Sequence, residues 1–318
     1  MSKKNGMIGA IVGDIAGSRF KRNNHRSKDF ELLVHPDAAA RERVEAWKRR
    51  KMAYDSGANK VAIGEWQPSF KDRPCAFTQN TVIALAVAAA LLDWSTLCGD
   101  LGASATKYMQ EFARRYPHLE YGFVPGGNFS SWLRSNAPRP YNSWGNGAAM
   151  RVSACGWAGR TLDEVKAMSR AVTEVTHNHP EGIKGAEATA VATFLARAGK
   201  SMEEIRETVV RGYYPLGFTL DEIRPTYEFD VSCQGSVPQA LEAFFESTSF
   251  EDAIRNAVSI GGDSDTIGAI CGAVAGAYYG VPDDIRARAE AFLDNRLLKV
   301  LRDFESRNWD VSKTSKED

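Results

Sequence analysis

Residues 82–92 are apolar without interruption (Val-Ile-Ala-Leu-Ala-Val-Ala-Ala-Ala-Leu-Leu), and that run decides most of what the chain can fold into. It is rich in Ala, Leu and Val and reads as a helix. A helix that is apolar nearly all round, as 81–94 is, has to be covered on every side and therefore belongs in a core. The run is read as too short to span a bilayer, so no membrane association is expected. Further helices are predicted over 8–18, 101–116, 161–173, 185–198, 202–211, 237–246, 250–258, 266–279 and 282–304. Thr161, Ser201 and Ser249 are expected N-caps, each followed three residues on by an acid (Glu164, Glu204, Asp252). Strand-like alternation is scarce and short. Long loops, above all 122–147, carry Gly, Pro, Asn and Trp. The expected fold is all-α, one compact helical domain over residues 1–318, with its function in loops between helices.

Charge and cysteine usage narrow the function classes. Lys plus Arg and Asp plus Glu each number 40, so the global basic field of a general nucleic-acid binder is missing. The five cysteines (Cys75, Cys98, Cys155, Cys233, Cys271) are scattered and form no CxxC pair, which suits reduced thiols better than a disulfide framework or a zinc site. Lys3 and Lys4 ahead of an apolar run imitate a signal peptide, but Asp14 interrupts the run and no small-residue cleavage site follows. A cytoplasmic protein is expected. Residues 38–72 break the helical pattern, and within 41–51 six basic residues face two acidic ones. A charge run of this kind is ordinarily a solvated surface helix; the competing reading is a lid or an arm that binds a protein partner.

The chemistry concentrates in Gly261-Gly262-Asp263-Ser264-Asp265-Thr266, where two carboxylates and a hydroxyl precede a Gly- and Ala-rich helix. Oxygen ligands on a backbone free to turn sharply suit a hard cation. Simple capping is the alternative, since Asp and Ser cap helices and acids suit the positive end of the helix dipole.

Three further motifs stand in order before it: Gly9-Ala-Ile-Val-Gly-Asp-Ile-Ala-Gly-Ser-Arg-Phe20, Phe77-Thr-Gln-Asn-Thr81 and Trp144-Gly-Asn-Gly-Ala-Ala-Met-Arg151. Together the four resemble the ADP-ribosylglycohydrolase family, the dinitrogenase-reductase-activating type of ADP-ribosylhydrolase, over nearly the whole chain except 38–72, which looks like an insertion. The resemblance implies an all-α fold with a pair of Mg²⁺ or Mn²⁺ ions at the base of a cleft. It implies cleavage of the bond at C1″ of ADP-ribose on a macromolecule or a related acetal. Two such ions clamp hydroxyls, position a water and stabilise developing charge. Carried over by motif, Thr78, Asp263, Asp265 and Thr266 are metal ligands, with Asn80 in one of the acid positions. Asn146 and Gly147 belong to the loop whose amide groups cradle the diphosphate, and His177 and His179 line the ADP-ribose cleft. Met150 and Arg151 are expected to be structural. Trp144 either stacks on a base or packs, with packing the expected role. Arginine-specific relatives are expected to carry an acid before the Gly-Asn-Gly loop; Asn142, Ser143 and Trp144 stand there.

The chain departs from the family pattern where charge matters. Gln79 and Asn80 replace the usual Asp-Asp, and Lys21 follows Gly-Ser-Arg-Phe where Glu is common. Two amides and a cation in place of three acids shift the formal charge by that of two divalent ions. Amides are weaker ligands for hard cations than carboxylates. The favoured expectation is a protein that recognises ADP-ribose, or a macromolecule carrying it, through an altered or lost metal site, with Lys21 partly replacing a cation beside Asp263 and Asp265. One alternative is an active hydrolase using one Mg²⁺ or no metal, with Lys21, Asp263 and Asp265 as its catalytic groups. Another is an interaction protein acting through 38–72.

Overall fold

The computed structural model describes residues 6–21, 23–36, 74–97, 99–121 and 127–309, and among these the architecture is helical. The helices are α1 Ile8–Ser18, α2 Gln79–Leu97, α3 Leu101–Arg115, α4 Asn128–Arg134, α5 Ser153–Ala158, α6 Leu162–Glu174 and α7 Pro180–Arg197, followed by α8 Met202–Gly212, α9 Leu220–Ile223, α10 Cys233–Phe245, α11 Phe250–Ser259, α12 Ser264–Tyr279, α13 Asp283–Glu290 and α14 Asn295–Ser306. A 3₁₀ turn, Asn146–Arg151, precedes α5. Among the described residues the β-pairing is a single bridge, Gly145 to Ser232. The segment 38–72 lies outside the described residues.

Two helices from opposite ends of the chain set the frame. α1 and α12 pack on each other more extensively than any other pair. They run antiparallel: a Cβ placed on Gly9 would meet Gly272 O at 2.3 Å, one on Gly13 would meet Gly268 O at 1.9 Å, and one on Gly17 would meet Ser264 O at 2.2 Å. No side chain fits at such separations, so glycine every fourth residue on α1 lets the two backbones touch. The consequence is positional. The C-terminus of α1 is held beside the N-terminus of α12, and whatever follows the first meets whatever opens the second.

α2 lies in the core as its composition requires, buried from Asn80 to Leu91. At 19 residues it is longer than the apolar run suggests. By length and composition alone it could cross a bilayer, which corrects the expectation that the segment is too short. Its burial against α3, α14 and the 3₁₀ turn identifies it here as a core helix. Cys75, Cys155, Cys233 and Cys271 are free and buried.

The three expected N-caps form. Thr161, Ser201 and Ser249 accept from the N–H of Glu164, Glu204 and Asp252, and at Ser201 the reciprocal bond from Glu204 completes a capping box. Three helices differ clearly from expectation. α10 starts at Cys233 rather than 237, because Ser232 Oγ accepts from Gly235 N at 3.0 Å and caps it. α7 starts at Pro180 rather than 185, because His179 Nδ1 accepts from Glu181 N at 3.1 Å and proline sits at the first helical position. The predicted 282–304 helix is two helices, since Asp294 caps α14 through the N–H groups of Arg296 and Leu297. Asp294 also accepts the Tyr116 hydroxyl proton at 2.7 Å, fixing the break from α3's side.

Candidate functional site

Past the end of α1 the chain turns, Phe20 N donating to Gly17 O, and places Lys21 at the mouth of the α1–α12 junction. On the other side Gly261 and Gly262 take φ of +82° and +67°, left-handed conformations that favour glycine. This sharp turn delivers Asp263 as the residue before α12. Lys21 Nζ then lies 2.9 Å from Asp265 Oδ2 and 3.3 Å from Asp263 Oδ1. Both carboxylates are buried, and the Lys21 side chain is 23% exposed. The helix ends favour this placement, a cation at α1's C-terminus and acids at α12's N-terminus.

Asp263 makes no side-chain capping bond to its helix, so the capping alternative fails there. Its Oδ2 accepts from Asn146 Nδ2 at 2.9 Å, while Oδ1 has the Lys21 ion pair and no hydrogen bond. Asp265 Oδ1 accepts from the N–H of Thr266 at 2.9 Å. The two carboxyls also share a hydrogen bond. Burial is the largest influence on all three groups. It pushes Asp265 up to about 8, assisted by the charge of Asp263 and against that of Lys21. Burial also acts upward on Asp263, but Lys21's charge and the hydrogen bonds from Asp265 and Asn146 hold it below its ordinary value. For Lys21, burial acts downward and is outweighed by the charges of Asp265 and Asp263, which raise its pKa above the usual lysine range. The Lys21 ammonium thus stands against two buried acids that also act on one another.

A third acid sits behind this cluster. Asp14, on α1, is fully buried. It accepts from Thr78 N at 2.9 Å, Thr78 Oγ1 at 2.6 Å, Thr81 N at 3.1 Å and Thr81 Oγ1 at 2.6 Å. Asp14 thus caps α2 from a distant part of the chain, meeting N–H groups that have no intrahelical acceptor. Burial raises its pKa, against the lowering effect of those hydrogen bonds. No role was expected for Asp14 from sequence, although it stands inside the first motif. The signal available was the i, i+4 glycine pattern around it, which forces α1 into the site.

The other candidate residues divide. Thr78's hydroxyl proton goes to Asp14, and its oxygen accepts from Asn80 N at 3.1 Å. Asn80 Nδ2 donates to Thr266 Oγ1 at 3.2 Å, leaving Asn80 Oδ1 buried without a hydrogen-bond partner. Asn146 donates its backbone N–H to Val231 O at 2.7 Å and its side-chain amide to Asp263 and to Ser236 Oγ. It is a clamp on Asp263, and its N–H is committed elsewhere than to an anion, which corrects half of the expected amide cradle. Gly147 and His177 line a cleft of about 250 Å³ together with Lys21, Asn146, Arg151 and Asp263. His177 is buried beside Thr176, with Nδ1 2.6 Å from Thr176 Oγ1. Burial, then the charge of Arg151, holds its pKa well below 6.5, so it is neutral.

His179 does not line this cleft; it caps α7 and stands edge-to-face with Trp144 at 5.4 Å. Trp144 is 51% exposed rather than packed, correcting that expectation. Arg151 is fully buried and hydrogen-bonds to Gly147 O and Thr176 Oγ1, with Phe129's ring at 5.1 Å from the guanidinium. Burial lowers its pKa to about 10.

These donors do not fit a pair of divalent ions. Asp14 is saturated by four donors, Thr78's proton is spent on it, Gln79 and Asn80 bring no charge, and an ammonium stands against both remaining carboxylates. Two dications sharing two carboxylates beside a lysine would repel one another with little to offset them.

Comparison with known proteins places the same segments in context. A family model described as ADP-ribosylglycohydrolase matches residues 4–312. The bovine ADP-ribosylhydrolase ARH3 is 27% identical over 284 residues, covering 70% of this chain and 76% of that protein. Human ADP-ribosylhydrolase ARH3 is 28% identical over 49% of this chain. The ADP-ribosyl-[dinitrogen reductase] glycohydrolase of Rhodospirillum rubrum is 28% identical over 53% of it. The chain spans just over half the length of these last two, 56% and 57%. A solved structure described as an ADP-ribosylglycohydrolase-related protein complex shares the fold, with a TM-score of 0.60 at 20% identity, over 95% of this chain and 97% of that one.

Proposed function

Because the chain belongs to the ADP-ribosylglycohydrolase family, we propose that its cleft recognises ADP-ribose, free or carried on a macromolecule, and does so without the paired Mg²⁺ or Mn²⁺ ions of its relatives. The observation that carries this reading is convergence. Lys21 and Asp263, from opposite ends of the chain, both line one cleft with their charged atoms 3.3 Å apart, and Asn146, Gly147 and His177 line its wall.

The lining suits such a ligand in parts. Arg151 brings a buried positive charge whose hydrogen-bonding partners are all neutral, which favours an anionic group such as a diphosphate nearby. Asp263, held in place by Asn146 and Lys21, offers carboxylate oxygen to ribose hydroxyls. Neutral His177 adds a ring nitrogen that is uncharged near neutral pH. Recognition needs these groups as they stand; dinuclear hydrolysis needs ligands that are absent from positions 79 and 80.

Thermal unfolding tests the reading directly, because a ligand that binds only the folded state raises Tm with its concentration. ADP-ribose is expected to raise Tm, ADP to raise it less, and adenosine least. A protein whose Tm is unmoved by ADP-ribose contradicts the proposal. Release of ADP-ribose from modified protein at the rate of a dinuclear relative contradicts the metal-free part of it.

A further inference from the structure

We infer that Asn24 and Arg26 are positioning residues of the cleft. Neither lines it, yet together they fix the Gly261–Gly262 turn, and with it Asp263, relative to Lys21 and to the wall that carries Phe229 and Val231. The inference rests on the ADP-ribose reading for its ligand and not for its geometry.

Arg26 gathers backbone from separate parts of the chain. Its Nη1 donates to Arg224 O and, at 2.6 Å, to Ile260 O, and its Nη2 donates to Tyr227 O. Arg224 closes α9 and Ile260 closes α11. Their carbonyls therefore stand at helix C-termini, where intrahelical donors run out and a cation is favoured. Each bonded segment leads on into the cleft: Tyr227 shortly precedes Phe229, and Ile260 shortly precedes Asp263, both of which line it. A guanidinium suits the task, because its planar fork directs donors at fixed angles to several acceptors at once.

Asn24 grips the other side of the same turn. Its Oδ1 accepts from Gly262 N at 3.1 Å. Its own φ of +44° is a left-handed conformation, which Asn adopts more readily than most residues. A Cβ on Gly261 would lie 3.0 Å from Asn24 Cα, so the backbone of the turn rests against the backbone of the residue that holds it. With Ile260 O met by Arg26 and Gly262 N met by Asn24, the glycine turn is held at both ends.

Lys21 is delivered by the same segment. Asn23 N donates to Phe20 O at 2.9 Å and Asn23 Nδ2 to Arg19 O at 3.1 Å, closing the turn that leads from Lys21 into Asn24. The stretch that carries the ammonium thus also holds the stretch that carries Asp263, and hydrogen bonds outside the cleft set their 3.3 Å separation. A displacement on the order of 1 Å in such supporting structure is enough to spoil a site. Arg255 supplies the contrast. It donates to Lys28 O and Phe30 O of this same segment, but neither it nor those partners adjoin a residue that lines the cleft.

The test pairs Arg26→Met with Arg255→Met. Both variants are expected to lose stability, so Tm does not discriminate between them. In ligand-free protein the ¹⁵N resonance of the Lys21 ammonium is expected to move in Arg26→Met and to keep its wild-type position in Arg255→Met. By calorimetry Arg26→Met is expected to bind ADP-ribose at least about tenfold more weakly than wild type, and Arg255→Met to bind it as wild type does. An unmoved Lys21 resonance in folded Arg26→Met overturns the inference, as does equal movement in both variants or wild-type affinity in Arg26→Met. Should Arg26→Met fail to fold, Asn24→Gly decides, since it keeps access to positive φ and removes the acceptor of Gly262 N. It too is expected to move the Lys21 resonance, and an unmoved one overturns the inference. The resonance is read without nucleotide, so a protein that does not bind ADP-ribose contradicts the proposed function and leaves this measurement to decide the positioning role.

Discussion

Asp14 and Asp265 are both completely buried acids within the same junction of helices, yet they are neutralised by opposite means. Asp14 is met by two hydroxyls and two backbone N–H groups, all neutral and all from the start of α2. Asp265 is met by an ammonium from the loop after α1, by its neighbour's N–H and by a second acid. Neutral donors fixed in a helix terminus make a permanent joint. A cation on a partly exposed stem makes a compensation that also faces the cleft. The comparison separates what holds the site together from what the site can do.

The comparison breaks most visibly at Asp14. Asp14→Ala leaves four donors in the interior without an acceptor, each costing about 1–3 kcal/mol. A loss of at least about 3 kcal/mol in urea denaturation is expected, with or without ligand. A loss below about 1 kcal/mol would mean that Asp14 is no joint.

At Lys21 the effect is smaller and of another kind. Lys21→Ala strips the charge partner from two buried carboxyls, a change expected to cost about 3 kcal/mol at neutral pH. Unlike Asp14→Ala, it should also change ADP-ribose affinity. Equal ligand affinity in the variant and the wild type, by calorimetry, would erase the distinction between the two acids.

Thr78→Val sharpens the comparison. It removes one of Asp14's four donors and the acceptor of Asn80's N–H, so about 1–2 kcal/mol of stability is expected to go. As its proton is engaged with Asp14, ligand affinity in the folded variant should hold.

The smallest effect is a pH slope. His177's folded pKa lies well below its ordinary 6.5. Below that value the unfolded chain takes a proton that the folded chain refuses, so stability is full above pH 6.5 and is lost as pH falls toward the folded pKa. His177→Gln should flatten the slope of stability against pH between about 6.5 and 5. An unchanged slope would show that His177 is not the buried neutral group described here.

How much of this was legible in sequence follows from which interactions are local. The core role of α2 and the three N-caps follow from runs of a few residues, and they appear where periodicity and capping chemistry place them; α12 starts at Ser264, two residues before the expected 266, with no side-chain cap from Asp263. α7 starts at Pro180, ahead of the expected 185, because the His-Pro cap extends it, and the expected 282–304 helix divides because Asp294's cap is reinforced from α3. At the site, the residue types were visible, but their pairing was not. Lys21 and the two aspartates were expected to meet, whereas Thr78's turn toward Asp14 and the commitment of Asn146's N–H to Val231 depend on partners 64 and 85 positions away. The glycines spaced by four on α1 and α12 could have supplied the antiparallel contact, and through it Asp14's position.

The proposed function has this cleft bind its ligand with Lys21, rather than a metal, on the acid pair. Calorimetric titration of ADP-ribose into metal-stripped protein, repeated in excess Mg²⁺, tests it most directly. Equal affinity in both titrations is expected; binding that appears only with Mg²⁺ would mean that a metal, and not Lys21, serves the acid pair.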